Sequence, residues 1–174
     1  VNIMTLEDPV EYPMAMIRQT SVNEVVKLDF ASGIRSMMRQ DPDVILVGEI
    51  RDKETAEMAF RAAMTGHQVY STLHTNSAIG AIPRLQDLGV LPDIMAGNII
   101  GVVAQRLVRK LCNHCKEPFT PDPATRKILG VPETWNGQIY RSVGCNHCNF
   151  QGYRGRLAIM ELFKSFNQVG VTVL

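Results

Sequence analysis

The segment DPDVILVGEIRD, Asp41 to Asp52, constrains the fold more than any other stretch of the chain. Four apolar, strand-forming residues, Val44 to Val47, run without interruption into Gly48 and then Glu49. An apolar run of this length reads as a strand buried on both faces, and such strands belong to parallel sheets covered by helices. In an open parallel sheet, the groups that follow the strands collect along one edge, where ligands bind. A buried strand that delivers a carboxylate there is how nucleotide-hydrolysing folds place an acid near Mg²⁺ and phosphate. The rest of the chain must then supply neighbouring strands, covering helices and, for phosphoryl transfer, a loop that holds phosphate.

Strands and helices are present. Asn2–Leu6 and Gln68–Leu73 are two further strand candidates, rich in Val, Ile, Leu, Met, Thr or Tyr. Helical patterns cover Phe30–Arg39, Asp52–Thr65, Ser77–Leu88 and Ile94–Lys110. Asp52–Thr65 is the clearest, with Ala56, Ala59, Phe60 and Ala63 on one face, Asp52 as a candidate N-cap and Gly66 as a stop. This alternation predicts an α/β domain with a mainly parallel sheet over residues 1–111. From Cys112 to Arg156 the chain turns rich in Pro, Gly, Asn and Cys, with a short helical candidate at Ala124–Leu129. A small inserted module is expected over 112–156. Residues 157–174 read as a return element and tail, with a strand or helix near Arg156–Leu162 and no clear pattern from Phe163.

The 174 residues, 45% of them apolar, suffice for one domain plus a small module. A net charge of +1 argues against a nucleic-acid-coating protein, so no nucleic-acid partner is expected, although a local basic patch is compatible with it. The longest apolar stretch, Ile94–Val103, is broken by Asn98 and two glycines and is too short to span a bilayer. No basic-plus-apolar leader opens the chain, and the expectation is a soluble, cytoplasmic protein. It begins at Val1, already strand-like and without Met, so a processed, excised or truncated segment is expected.

All four cysteines fall in two copies of CNHC, Cys112–Cys115 and Cys145–Cys148. Paired CxxC turns let four thiolates converge on one Zn²⁺, and a closed four-thiolate site is structural because no coordination position stays open. Two reduced thiol pairs or a redox pair are the alternatives. His114 and His147 sit inside the knuckles, either as spacers or as substitute ligands.

Polar clusters follow each strand. Glu7, Asp8 and Glu11 follow the first, and Glu49, Arg51 and Asp52 the second. His67 precedes the third and His74 follows it. Glu7, Glu49 and His74 are therefore expected along one sheet edge, where one carboxylate can hold Mg²⁺ and the other polarise the attacking water. Each residue also has a plainer reading: Asp52 as a helix cap, Arg51 as an ion-pair partner, either histidine as a structural residue. The phosphate loop itself is missing. No Gly is followed by Lys and no two glycines stand five apart, so G-x-x-x-x-G-K-[ST] does not occur.

TLEDPVE, RQDPDVILVGEIRD, TGHQVYSTLHTN, AQRLVRKLC and the paired knuckles together resemble the type II secretion and type IV pilus assembly ATPases, from Val1 to about Leu162. The resemblance implies a partial RecA-like domain of a homohexameric motor, fed by ATP and Mg²⁺ in an intact parent and acting on an inner-membrane platform protein and cytoplasmic-side components. It implies a cytoplasmic location, peripheral to the inner membrane. TLEDPVE resembles the family's aspartate box, which makes Glu7 the water-activating acid with Asp8 and Glu11 in support. VGEIRD resembles its Walker B, which makes Glu49 a carboxylate on the Mg²⁺ side; which acid is the base stays open. GHQVYSTLHT resembles its histidine box, which gives His67 and His74 phosphate sensing or subunit coupling. Cys112, Cys115, Cys145 and Cys148 resemble the zinc module of secretion and pilus-extension members. The family's Walker A and N-terminal domain are not in these residues, so the chain alone is expected to be inactive. A DNA-translocating RecA-type motor and a zinc-stapled module that docks to a membrane protein are the alternatives.

Overall fold

The computed structural model describes residues 1–164 and 171–173. It is a mixed α/β structure with a mainly parallel sheet. The chain divides into two compact units, one of Val1–Gln105 with the described residues from Met160 on, the other of Arg106–Ile159.

The first unit opens with β1 (Ile3–Glu7) and β2 (Arg18–Ser21), then α1 (Phe30–Met37), β3 (Val44–Val47), α2 (Lys53–Met64) and β4 (Gln68–Ser71). Helices α3 (Ala81–Asp87) and α4 (Pro92–Asn98) follow, and the chain enters β5 (Ile99–Leu111). Strand β2 pairs parallel with β1, β1 with β3, and β3 with β4. The register sets Leu6 beside Val47 and Val47 beside Ser71, so the C-terminal ends of β1, β3 and β4 are level. That alignment is what can bring groups distant in sequence to one edge.

The core follows from the sequence. Leu6, Ile45, Val47 and Val69 of the strands are buried, as are Ile34 of α1 and Ala56, Ala59, Ala62 and Ala63 of α2. Helix α1 packs on β1, β3 and α2. Gly33 lets it approach β1, because a Cβ there would stand 2.4 Å from a methyl of Leu6. Helix α2 begins where expected: the Asp52 carboxylate accepts from the Thr55 N–H at 2.8 Å and from its hydroxyl at 2.9 Å.

Two expectations need correction. The helix expected over Ile94–Lys110 is only the short α4, which ends at Asn98, and the remainder is strand β5. Gly97 and Gly101 weaken a helix there, and Ile99, Ile100, Val102 and Val103 are β-branched, so strand propensity prevails over the helical apolar spacing. The helix expected from Ser77 starts four residues later, because the Ser77 hydroxyl accepts from the Gly80 N–H in a preceding turn. Strand β2 was not foreseen, since Arg18–Ser21 is polar; it lies at the sheet edge, where burial does not dictate composition.

The second unit holds β6 (Glu117–Phe119), α5 (Pro123–Leu129) and β7 (Ile139–Arg141), with β6 and β7 antiparallel. The return segment near Arg156–Leu162 is a strand, β8 (Tyr153–Lys164), next to β5. Strands β5 and β8 each run from one unit into the other, so the unit boundaries fall inside strands. In the tail, Val171–Val173 forms β9, parallel to both β4 and β5; the rest of the patternless tail, 165–170 and 174, lies outside the described residues.

Candidate functional site

The level ends of β1 and β3 deliver Glu7 and Glu49 to one cleft of roughly 340 Å³, which Asp8, Glu11, Gly48, Thr72 and His74 also line. Gly48 eases this close approach. Its N–H donates to Leu6 C=O at 2.8 Å, and an added Cβ would meet that oxygen at 3.1 Å and the Glu7 Cα at 3.4 Å.

Each carboxylate is held at one oxygen. Thr5 Oγ1 donates to Glu7 Oε1 at 2.5 Å, and Gln19 Nε2 donates to the same atom at 3.0 Å. Gln19 also donates to Tyr12 C=O at 3.1 Å and accepts from Met14 N–H at 2.7 Å, which ties the loop after β1 to the acid. At Glu49, Oε2 meets Arg51 Nε at 2.5 Å and His74 Nε2 at 3.2 Å. The Glu49 side chain is 14% exposed against 64% and 82% for its partners, so a sheltered acid meets two solvated basic side chains. An exposed pair of this kind adds only about 0–1 kcal/mol to stability. Its consequence is orientation of the carboxylate. Thr72 Oγ1 closes the floor by donating to Gly48 C=O at 2.6 Å.

The structure thus gathers Glu7, Asp8, Glu11, Glu49, Arg51 and His74 about the C-terminal ends of the strands. Asp52 caps α2, and with Arg51 and Asp8 it borders an adjoining hollow. His67 is not brought there. It precedes β4 at the opposite edge, where its Nδ1 lies 2.9 Å from Ala62 C=O and 3.1 Å from Thr65 Oγ1 at the end of α2. Thr5, Gln19 and Thr72 went unremarked in the sequence. Thr5 was findable, because strand alternation places it on the face of Glu7 two residues on. Gln19 was not, since its strand carries no apolar signal.

The cysteines form a second site. All four Sγ atoms lie within 4.8 Å of one another, with Cys112–Cys145 at 4.0 Å, Cys115–Cys148 at 3.8 Å and Cys145–Cys148 at 3.9 Å. Disulfide sulfurs stand about 2.05 Å apart, so these are free thiols. A tetrahedral zinc with Zn–S near 2.3 Å separates its sulfurs by about 3.8 Å, which these three separations match. The knuckles are joined by Cys112 N–H donating to Gly152 C=O at 3.0 Å. Burial pushes the Cys148 thiol up, but the Cys145 and Gly152 N–H groups aimed at its sulfur, with neighbouring thiols, bring it down to about 7. Burial and the surrounding thiols push Cys115 up to about 12. With one thiol lowered and another raised, the four become thiolates together only when a cation shares the charge. His114 and His147 are exposed and stack on each other, 4.1 Å between centroids, outside the thiol set.

The profile of the type II/IV secretion system protein family matches residues 1–173. The chain belongs to that family. It is similar to the type II secretion system protein E of Pseudomonas aeruginosa, 55% identical over 92% of the chain and 32% of the relative. It also resembles the type IV pilus assembly ATPase PilB of Thermus thermophilus, 51% identical over 92% of the chain and 18% of the relative. Among solved structures it resembles the pilus retraction motor PilT with bound ADP, with a TM-score of 0.59 and 43% identity over 64% of the chain and 35% of that protein. The ATPase DotB of Legionella pneumophila gives a TM-score of 0.52 and 30% identity over 62% of the chain and 32% of that protein. The chain spans about a third of the length of the secretion relatives it matches.

Proposed function

We propose that the chain is the carboxylate-bearing part of a RecA-like motor domain that couples ATP hydrolysis to type II protein secretion or type IV pilus assembly. The observation that carries the reading is the convergence of Glu7 and Glu49, from neighbouring parallel strands, on one cleft with Asp8, Glu11 and His74. In this reading Glu7 activates the attacking water, aligned by Thr5 and Gln19, with Asp8 and Glu11 adding negative charge around it. Glu49 stands on the Mg²⁺ side, aligned by Arg51 and His74. Mg²⁺ bound with ATP supplies charge neutralisation at the phosphate oxygens. His74 is placed to sense the state of Glu49, whereas His67, at the other edge, is assigned to subunit coupling. Cys112, Cys115, Cys145 and Cys148 hold a structural Zn²⁺. The motor would act as a homohexamer, on the cytoplasmic side of the inner membrane, against a platform protein and without a nucleic-acid partner. A second role for the zinc unit, as a docking module, is favoured by its being a compact unit of its own.

The test uses a chain extended to the full length of the relatives. Glu7→Gln should lower turnover about 10²- to 10⁴-fold, the usual worth of a positioned general base. Glu49→Gln should still bind ATP but cease to turn it over; unchanged turnover would remove Glu49 from the mechanism. The 174-residue chain alone should show no steady hydrolysis, and turnover by the pure chain would overturn the assignment of the phosphate loop to other residues.

A further inference from the structure

The loop that presents His74 to Glu49 is tied at both ends to other parts of the first unit. Residues 72–80, between β4 and α3, form neither helix nor strand. At the near end, Thr72 C=O accepts from Ile50 N–H at 3.0 Å, beside the bond from the Thr72 hydroxyl to Gly48. At the far end, the Ser77–Ala78 peptide is gripped from both sides. Its carbonyl, on Ser77, accepts from Thr75 Oγ1 at 3.0 Å. Its N–H, on Ala78, donates to Glu161 Oε2 at 3.1 Å. Thr75 directly follows His74, so one planar peptide links the Glu161 carboxylate to the chain neighbour of His74.

Glu161 reaches this peptide from β8, the last strand of the sheet order. Phe163, two residues on, packs against the apolar core, whereas Met160 and Leu162 are 66% and 68% exposed. Strand alternation therefore puts Glu161 on the core-facing side. An acid so placed on an edge strand has plain readings, as a guard against edge pairing or as a cap for the turn ahead of α3. Two observations ask for more. Ala78 is fully buried, so no water stands ready to replace the carboxylate at its N–H. The His74 side chain is 82% exposed and meets Glu49 through Nε2, so the direction of the ring depends on the course of its loop.

We propose that Glu161 is a positioning residue for the carboxylate cleft: it holds the Ser77–Ala78 peptide, and with it the loop that carries His74 to Glu49. The assignment rests on the motor reading for what His74 does there. Without an acceptor at position 161, the buried Ala78 N–H must turn to another partner. The peptide then rotates, its carbonyl leaves Thr75 Oγ1, and His74 shifts with its neighbour. Glutamine keeps an acceptor oxygen and loses only the assistance of the charge, so Glu161→Gln preserves the grip. A mere cap behaves differently. Its removal costs stability and leaves the His74 ring in place.

The experiment is nuclear magnetic resonance of the zinc-loaded 174-residue chain, with Glu49→Ala as the reference in which His74 has lost its carboxylate. Two variants remove the acceptor: Glu161→Ala, and Glu161→Met, which keeps the length of the stem if alanine disturbs folding. In both, the Ala78 amide should exchange about tenfold faster or more, as expected for a locally opened bond. The His74 ring signals should move toward those of Glu49→Ala, while the amides of β1 and β3 keep their protection. Glu161→Gln should match the parent in both respects. His74 signals that stay at the parent position in the folded alanine or methionine variant would overturn the proposal, and so would a glutamine variant that behaves like alanine. Turnover is read separately, in a chain extended to the full length of the relatives. There Glu161→Ala should lower kcat about tenfold with KM for ATP unchanged, within the roughly 100-fold that a misplaced group can cost. Moved His74 signals with an unaltered kcat support the role of Glu161 and count against His74 in the motor reading, so the two failures are told apart.

Discussion

The two units differ in what holds them. In the first, buried side chains of β1, β3, β4, α1 and α2 form one apolar core, with Leu6, Ile34, Ile45, Val47 and Val69 fully enclosed. In the second, the buried described residues are Cys112, Pro121, Cys148 and Gly152, and two of these four are thiols. Burial near 25 cal/mol per Å² can hold the first unit without help. The second has no comparable core, which is the usual situation of small domains stapled by a metal. The carboxylate cleft is therefore built on a rigid apolar frame, whereas the second unit gathers around its four thiols.

Removing the zinc proposed at the four thiols is the largest test of that contrast. Structural zinc supplies roughly 10–16 kcal/mol of apparent folding free energy in small modules. A strong chelator, or Cys148→Ser, should unfold residues 106–159 while the amide protection of β1, β3 and β4 survives. Hydrogen exchange followed by segment reads both units in one experiment; loss of protection in β3 together with the zinc unit would show that the two are not separately held.

A smaller effect, confined to the other side of the comparison, comes from Ile45→Ala. The side chain is fully buried between strand neighbours, and large-to-small changes of this kind cost about 2–5 kcal/mol. The unfolding free energy of the first unit, read from its denaturant titration, should fall by that amount, with zinc stoichiometry at the cysteines unchanged. Coupled loss of zinc would contradict separate support.

The same contrast explains what was legible beforehand. The strand that leads into Glu49 could be read because a doubly buried strand must be apolar throughout, and Glu7 and His74 followed because parallel strands end on one side. The knuckles could be read because ligand spacing is local chemistry. Strand β5 was mistaken for helix because its apolar residues satisfy both periods, and β-branching, not spacing, decides between them. Gln19 was invisible for a different reason. Its partners, Glu7, Tyr12 and Met14, are set by a polar edge strand whose position only the folded sheet defines. His67 sits within a recognisable segment, yet its ring is directed by the α2 terminus to the far edge.

The smallest test sets one helix cap against another. Asp29 caps α1 in the first unit, accepting from Ser32 N–H at 2.7 Å, and Asp122 caps α5 in the second, accepting from Thr125 N–H at 2.7 Å. The Ser32 N–H and hydroxyl hold the Asp29 carboxyl below its ordinary 3.8, and the Thr125 hydroxyl and N–H do the same for Asp122. A carboxyl whose folded value is depressed contributes stability that is present above its unfolded value and is lost as pH falls through the folded one. Asp29→Ala should thus cost the first unit about 1 kcal/mol at neutral pH, and the gap to the parent should close as pH drops below 3.8. Asp122→Ala should destabilise the zinc-loaded second unit at neutral pH, but its closing gap should not be observable. Thiolates take up protons and release the metal in acid, and a unit that depends on that metal unfolds before its cap titrates. Paired pH titrations of the two variants by hydrogen exchange measure this, and an acid-closing gap in the second unit would mean that it holds together without its metal.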